Sequence, residues 1–189
     1  MAFSQRYIKE LVEMLGLFPH DKFEEMVEAM LESYHNNRSI FVMGNGGSAS
    51  TASHWPCDLN KGCSPEDGKR FKMISLNDSI STLMAYANDL SYEKVFVEQL
   101  KNFYTPGDLV IGISGSGNSK NVLNAIEYAN NNNGKTVGLC GYSGGKLRDM
   151  VDIPLWINID DMQKVEDIHM IIVHMTMQRI NLELKDSPV

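Results

Sequence analysis

Five short apolar runs, each leading into glycine, serine or asparagine, constrain this 189-residue chain more than any other feature: Ile40 to Met43, Met73 to Leu76, Leu109 to Ile113, Thr136 to Cys140 and Ile153 to Ile157. They are apolar along most of their length rather than alternating, so they suit strands covered on both faces, as in a parallel sheet. Helical stretches separate them, which predicts an α/β fold with a doubly wound five-stranded parallel sheet. Ahead of the first run, apolar residues recur at helical spacing at Ile8, Leu11, Leu15 and Leu17 and again at Phe23, Met26, Val27, Met30 and Leu31. Residues 1–36 therefore read as two helices broken near Pro19. Met162 to Leu184, with Val165, Ile168, Ile172, Val173, Met175 and Ile180, reads as a long closing helix. Lys61 to Lys69 is a polar loop and Asn130 to Asn133 a helix end. No linker-like tract divides the chain, so one domain over residues 1–189 is expected.

Composition narrows the function classes. A formal charge of −7 and the lack of a Lys/Arg cluster argue against a nucleic-acid backbone or an anionic membrane as the main partner. The N-terminal residues lack a signal-peptide pattern, and no apolar run approaches the roughly 18 residues needed to span a bilayer. A cytoplasmic protein is expected. Cys57, Cys63 and Cys140 are odd in number and show no CxxC spacing, so they read as reduced thiols.

Two of the runs end in loops that carry chemistry. Phe41-Val42-Met43 leads into Gly44-Asn45-Gly46-Gly47-Ser48, and Val110-Ile111-Gly112-Ile113 leads into Ser114-Gly115-Ser116-Gly117-Asn118-Ser119. In an open parallel sheet, ligands bind where strands end and helices begin. Glycines let backbone N–H groups approach a ligand, and the following helix N-terminus adds unpaired donors and the positive end of its dipole. Ser114, Ser116 and Ser119 add hydroxyls that can surround a phosphate. The loop lacks the Lys-Ser/Thr pair of a P-loop, so a phosphate monoester is favoured over a nucleotide triphosphate with Mg²⁺. Read as ordinary βα turns, the same glycines and serines would serve only turn geometry and capping.

The two loops, His54 and Asp58 after the first, Asn121-Val122 after the second, Ala87-Asn88-Asp89 with Tyr92 and Val95-Phe96, and a histidine-bearing last helix together resemble the sugar isomerase (SIS) fold. More narrowly, they resemble the sedoheptulose 7-phosphate isomerases, or phosphoheptose isomerases, over nearly the whole chain. The resemblance implies an aldose–ketose isomerisation yielding a manno-heptose 7-phosphate for nucleotide-activated heptose and surface glycans such as lipopolysaccharide or capsule. It also implies a homotetramer with sites built between subunits. Substrate-binding positions carry over to Asn45, Gly46, Gly47, Ser48, Asn88, Asp89, Ser114, Gly115, Ser116, Ser119 and Glu166. The family's acid/base pair, a glutamate and a histidine, falls on Asp58 and His174. Some members bind zinc through these two residues, a histidine four before the carboxylate and a glutamine eight before the histidine. That leaves a zinc site of His54, Asp58, Glu166 and His174 open here, with no nucleotide cofactor.

The chain departs from the family pattern with Asp for Glu at Asp58, Glu for Gln at Glu166 and Gly115 where a threonine is frequent. Pro56, between His54 and Asp58, removes a backbone hydrogen bond and is expected to kink the helix or end a turn. Isomerisation needs one carboxylate and one titratable partner across an enediol, which Asp58 and His174 supply by type. Without the resemblance, His54 and Asp58 read as an i,i+4 hydrogen bond, His174 as a core histidine, and Glu166-Asp167 as an acidic pair at a helix N-terminus. His169 reads as structural or interfacial, and Met170, Met175 and Met177 as packing. Three functions stay open: the heptose isomerase, an isomerase of another ketose phosphate, and a non-catalytic phosphosugar-binding regulatory SIS protein.

Overall fold

A computed structural model describes residues 1–64 and 68–186. Of the expected polar loop Lys61 to Lys69, residues 65–67 lie outside the described residues. The element order is α1 (Phe3–Leu15), α2 (His20–His35), β1 (Ile40–Gly44), α3 (Gly47–Pro56), a π-helical turn (Cys57–Lys61), β2 (Met73–Ser75), α4 (Ile80–Asp89), a 3₁₀ turn (Tyr92–Lys94), α5 (Val95–Phe103), β3 (Leu109–Ser114), α6 (Lys120–Asn131), β4 (Lys135–Cys140), α7 (Gly145–Met150), β5 (Ile153–Trp156) and α8 (Met162–Asp186). All five apolar runs form strands within two residues of the expected ends. They pair in parallel in the order β2-β1-β3-β4-β5.

The alternation of side chains sorts each strand between two cores. Ile40 and Val42 of β1 join Leu109, Ile111 and Ile113 of β3 beneath α2, α3 and α8. Phe41 and Met43 join Val110 beneath α5, α6 and α7. Burial of one such side chain contributes about 1.5–3 kcal/mol, so the continuous apolar runs are explained by helices on both faces. Gly112 pairs with Gly138 across β3 and β4. A Cβ at Gly112 would stand 2.7 Å from Val122, and one at Gly138 2.9 Å from Leu147, so both helices press directly onto the sheet.

The outer helices are less covered. Neither α1 nor α4 contains a fully buried residue. Phe3, Ile8 and Val12 of α1 are exposed on one layer, and Ile80 and Met84 of α4 on the other. Lys164, itself buried, ties α1 to α8: its ammonium reaches Glu10 at 2.9 Å, pairs with Asp161 and lies over the Tyr7 ring. Tyr7 also donates to Asp167 at 2.6 Å. Among the described residues no helix is long and apolar enough to cross a membrane.

Candidate active site

The strand order turns back between β1 and β3, and the loops after these two strands are the two glycine-rich loops. In a sheet of this order the ligand crevice opens at that switch point, outside the carboxyl ends of the strands. A cleft of about 290 Å³ lies there, lined by Asn45, Gly46, Gly47, Ser48, Ser114, Gly115, Ser116, Ser119 and Glu166 together with Ile113 and Met162. A larger hollow of about 480 Å³ lies at the opposite ends of the strands, beside Arg38 and Lys135, and contains none of the motif residues.

Local rules explain how the sequence builds the cleft. Gly46 has φ of 56° with ψ of −123°, a backbone state that side chains other than glycine's rarely allow, and it turns the chain into α3. A Cβ at Gly47 would run into the Glu166 carboxylate, and one at Gly115 into the Met162 sulfur. Close backbone approach at both loops is therefore built in. Among the described residues that line it the cleft has no lysine or arginine, so the donors it can offer an anion are backbone N–H groups, serine hydroxyls and the N-termini of α3 and α6. Ser119 begins α6, and its hydroxyl lies 3.0 Å from that of Ser114 rather than capping the helix.

A part-buried amide pair ties the first loop to the first turn of α6. Asn45 Nδ2 donates to Asn121 Oδ1 at 2.9 Å, and Asn121 Nδ2 donates back to Asn45 Oδ1 at 2.9 Å. Tyr92 donates its hydroxyl to the same Asn45 oxygen at 2.7 Å. Asn121 is a polar residue on the apolar face of α6, among Val122, Ala125 and Ile126, and that mismatch is the signal from which its bridging role could have been read. Met162 is a further lining residue that no sequence motif marks.

The second cluster lies between α3 and α8, which run side by side in the same direction: Gly47 meets Glu166, His54 meets His174, and the Cys63 thiol reaches the Met177 carbonyl at 3.3 Å. His54 Nε2 stands 3.1 Å from Asp58 Oδ2 and 3.3 Å from His174 Nε2, and His174 Nε2 stands 3.9 Å from Asp58 Oδ2. One ligand atom from each residue lies within 4.8 Å of the others. Two imidazole nitrogens and a carboxylate oxygen suit Zn²⁺, with a further coordination position left for water or substrate. Asp58 is the most sheltered of the three, at 19% side-chain exposure against 41% for His54 and 52% for His174.

Glu166 stands apart from this trio. It precedes His174 by eight residues, about 12 Å along the helix at 1.5 Å per residue, and its carboxylate lies in the cleft against Gly47. Asn88 and Asp89 lie outside the cleft of their own chain, at the exposed end of α4, where Asn88 Nδ2 donates to Asp89 at 2.8 Å. His169 is fully buried, and burial pushes its pKa down to about 4, so it is a neutral core imidazole.

The family model of the SIS domain matches residues 5–141. The chain is 40% identical over 154 residues to a phosphoheptose isomerase from Helicobacter pylori, covering 82% of this chain and 80% of that protein. Its fold is similar to the solved phosphoheptose isomerase of Neisseria gonorrhoeae, with a TM-score of 0.85 and 25% identity over 96% of this chain and 100% of the other. The enzyme from Francisella tularensis gives the same TM-score at 26% identity over 95% of each chain.

Proposed function

The chain belongs to the phosphoheptose isomerase family of SIS-domain proteins, and from that membership we propose how its site isomerises sedoheptulose 7-phosphate to D-glycero-D-manno-heptose 7-phosphate. The protein is an enzyme of heptose synthesis, an aldose–ketose isomerase. The observation that carries the reading is the placement of an anion cleft and a His/Asp cluster along one pair of helices, α3 and α8.

The phosphate lies against the Ser114 to Ser119 loop, where hydroxyls and N–H groups replace its water shell and the α6 N-terminus stabilises its charge. Asn45, Gly46, Gly47, Ser48 and Glu166 line the path of the sugar chain, and Glu166 accepts hydrogen bonds from its hydroxyls. Asn88 and Asp89 complete the substrate surface of a neighbouring subunit in the assembly.

At the reacting end Asp58 and His174 act as the acid/base pair. The carboxylate takes the proton from C1 of the open-chain ketose, and the C–H electron pair forms the C1–C2 double bond of an enediol as the carbonyl oxygen gains a proton. Returning the proton to C2 while the O1 proton leaves gives the aldehyde, and His174 moves the protons between the two oxygens. His54, 3.1 Å from Asp58, orients the carboxylate. His54, Asp58 and His174 are also the groups that would hold zinc, which when bound would polarise the substrate oxygens as a Lewis acid.

The assembly is a homotetramer. The apolar faces of α1 and α4 lie on opposite layers, and two distinct self-complementary contacts generate a dihedral tetramer. The enzyme works in the cytoplasm, and its product supplies nucleotide-activated heptose for surface glycans. Incubating the purified chain with a panel of ketose phosphates and following aldose formation tests the function: sedoheptulose 7-phosphate is turned over best. A preference for another ketose phosphate, or binding without turnover, would contradict it.

A further inference from the structure

The cluster of His54, Asp58 and His174 is held together by a helix that does not continue regularly through it. Pro56 is the last, buried residue of α3 and stands between two of the three side chains. Lacking an N–H, it leaves the Ala52 carbonyl without its α-helical donor. The next donor, the Cys57 N–H, turns to the His54 carbonyl three residues back. Over Cys57–Lys61 the ladder then widens to a π turn. Both ends of the stretch are fixed against α8: Gly47 abuts Glu166, and a Cβ at Gly62 would come within 3.3 Å of Met177. The extra residue of the wide turn is thus absorbed between them, where Asp58 sits.

We propose that Pro56 is a positioning residue whose missing N–H opens the helix into the π turn that delivers the short Asp58 carboxylate to His54 and His174. A π turn has a larger radius than an α turn and carries its side chains outward from the axis, and such turns recur at functional sites. Aspartate reaches one methylene less far than glutamate. From the wide turn the carboxylate ends 3.1 Å from one imidazole and 3.9 Å from the other. Position 56 and the side-chain length at position 58 are therefore coupled. The inference rests on the acid/base reading above for its kinetic consequence and on the cluster alone for its metal-binding consequence.

The test is a cycle of Pro56→Ala, Asp58→Glu and the double variant, each assayed for kcat and KM with sedoheptulose 7-phosphate and, as apo-protein, for Zn²⁺ affinity by calorimetry. Pro56→Ala restores the N–H and regularises the helix. It is expected to lower kcat by on the order of 10- to 100-fold with KM nearly unchanged, since the phosphate loop is untouched. Zn²⁺ affinity falls by about 10- to 100-fold, as when a supporting partner of a ligand is lost. Asp58→Glu alone overshoots and also lowers both, whereas the double variant recovers to within about tenfold of wild type. Equal effects of Asp58→Glu in the two backgrounds, or a Pro56→Ala protein with wild-type kcat and Zn²⁺ affinity, would overturn the proposal. Should Pro56→Ala lose its melting transition, Pro56→Gly restores the same N–H and carries the comparison. A wild-type chain without turnover would count against the enzyme reading, while the coupling read in Zn²⁺ affinity would still decide the role of Pro56.

Discussion

The Nε2 atoms of His54 and His174 stand 3.3 Å apart although 120 residues separate them in the chain, and both face the Asp58 carboxylate. The contact joins the helix that follows the first glycine loop to the closing helix. It turns two separate sequence motifs into one site.

The proposed phosphate site on the serine loop relies on hydroxyls. Ser116→Ala and Ser119→Ala are each expected to raise KM about 3- to 10-fold, the worth of one hydrogen bond of about 0.5–1.5 kcal/mol. Far-UV circular dichroism should remain that of wild type. Unchanged KM in both variants would place the phosphate elsewhere.

Gly47 lets the Glu166 carboxylate lie against the backbone of the first loop. Gly47→Ala pushes that side chain into the cleft, and a loss of substrate affinity of 10-fold or more is expected, on the order of what a displacement of about 1 Å costs. Isothermal titration with the substrate measures it. Wild-type affinity would show that the approach of Gly47 to Glu166 has no part in binding.

The exposed apolar faces of α1 and α4 make separate predictions for assembly. Light scattering should give a tetramer for wild type and a dimer for either Ile8→Glu with Val12→Glu or Ile80→Glu with Met84→Glu, because each pair breaks one of two contacts. A wild-type monomer at micromolar concentration would remove the two-interface arrangement.

His169 sets a pH dependence of stability. Its pKa is about 4 in the folded chain and 6.5 when unfolded, so the contribution is complete above pH 6.5 and is lost as pH falls toward 4, where only the unfolded chain takes up the proton. The full span amounts to about 3 kcal/mol at 1.36 kcal/mol per unit. Urea midpoints measured from pH 7 to 5 should fall more steeply in wild type than in His169→Gln. Parallel slopes would show that His169 is not buried as a neutral group.

Much of the fold was legible because its strands are buried on both faces, which writes continuous apolar runs such as Leu109 to Ile113 into the sequence. The two loops were legible because close backbone approach requires glycine where it occurs. The convergence of His174 on His54 was not, since it depends on how α3 and α8 lie side by side. Helical spacing puts Glu166 and His174 only roughly 80° apart around α8, but the eight-residue rise between them carries Glu166 to the cleft while His174 joins the trio. Pro56 announced a break but not its form, because a missing N–H can end, kink or widen a helix. Met162 was invisible for the same reason as the trio, because contacts between distant segments leave no local pattern, whereas Asn121 left a trace as a polar residue on the apolar face of α6.

The acid/base assignment of Asp58 and His174 is tested most directly by the turnover of sedoheptulose 7-phosphate by His174→Ala and Asp58→Asn beside wild type, with metal content measured in each. Wild type should form the aldose, and each variant should lose on the order of 100-fold or more in kcat with KM for the phosphosugar nearly unchanged. A loss that tracks metal content and is reproduced by chelating the wild-type enzyme would make the residues metal ligands instead. Wild-type turnover in both variants would contradict the account.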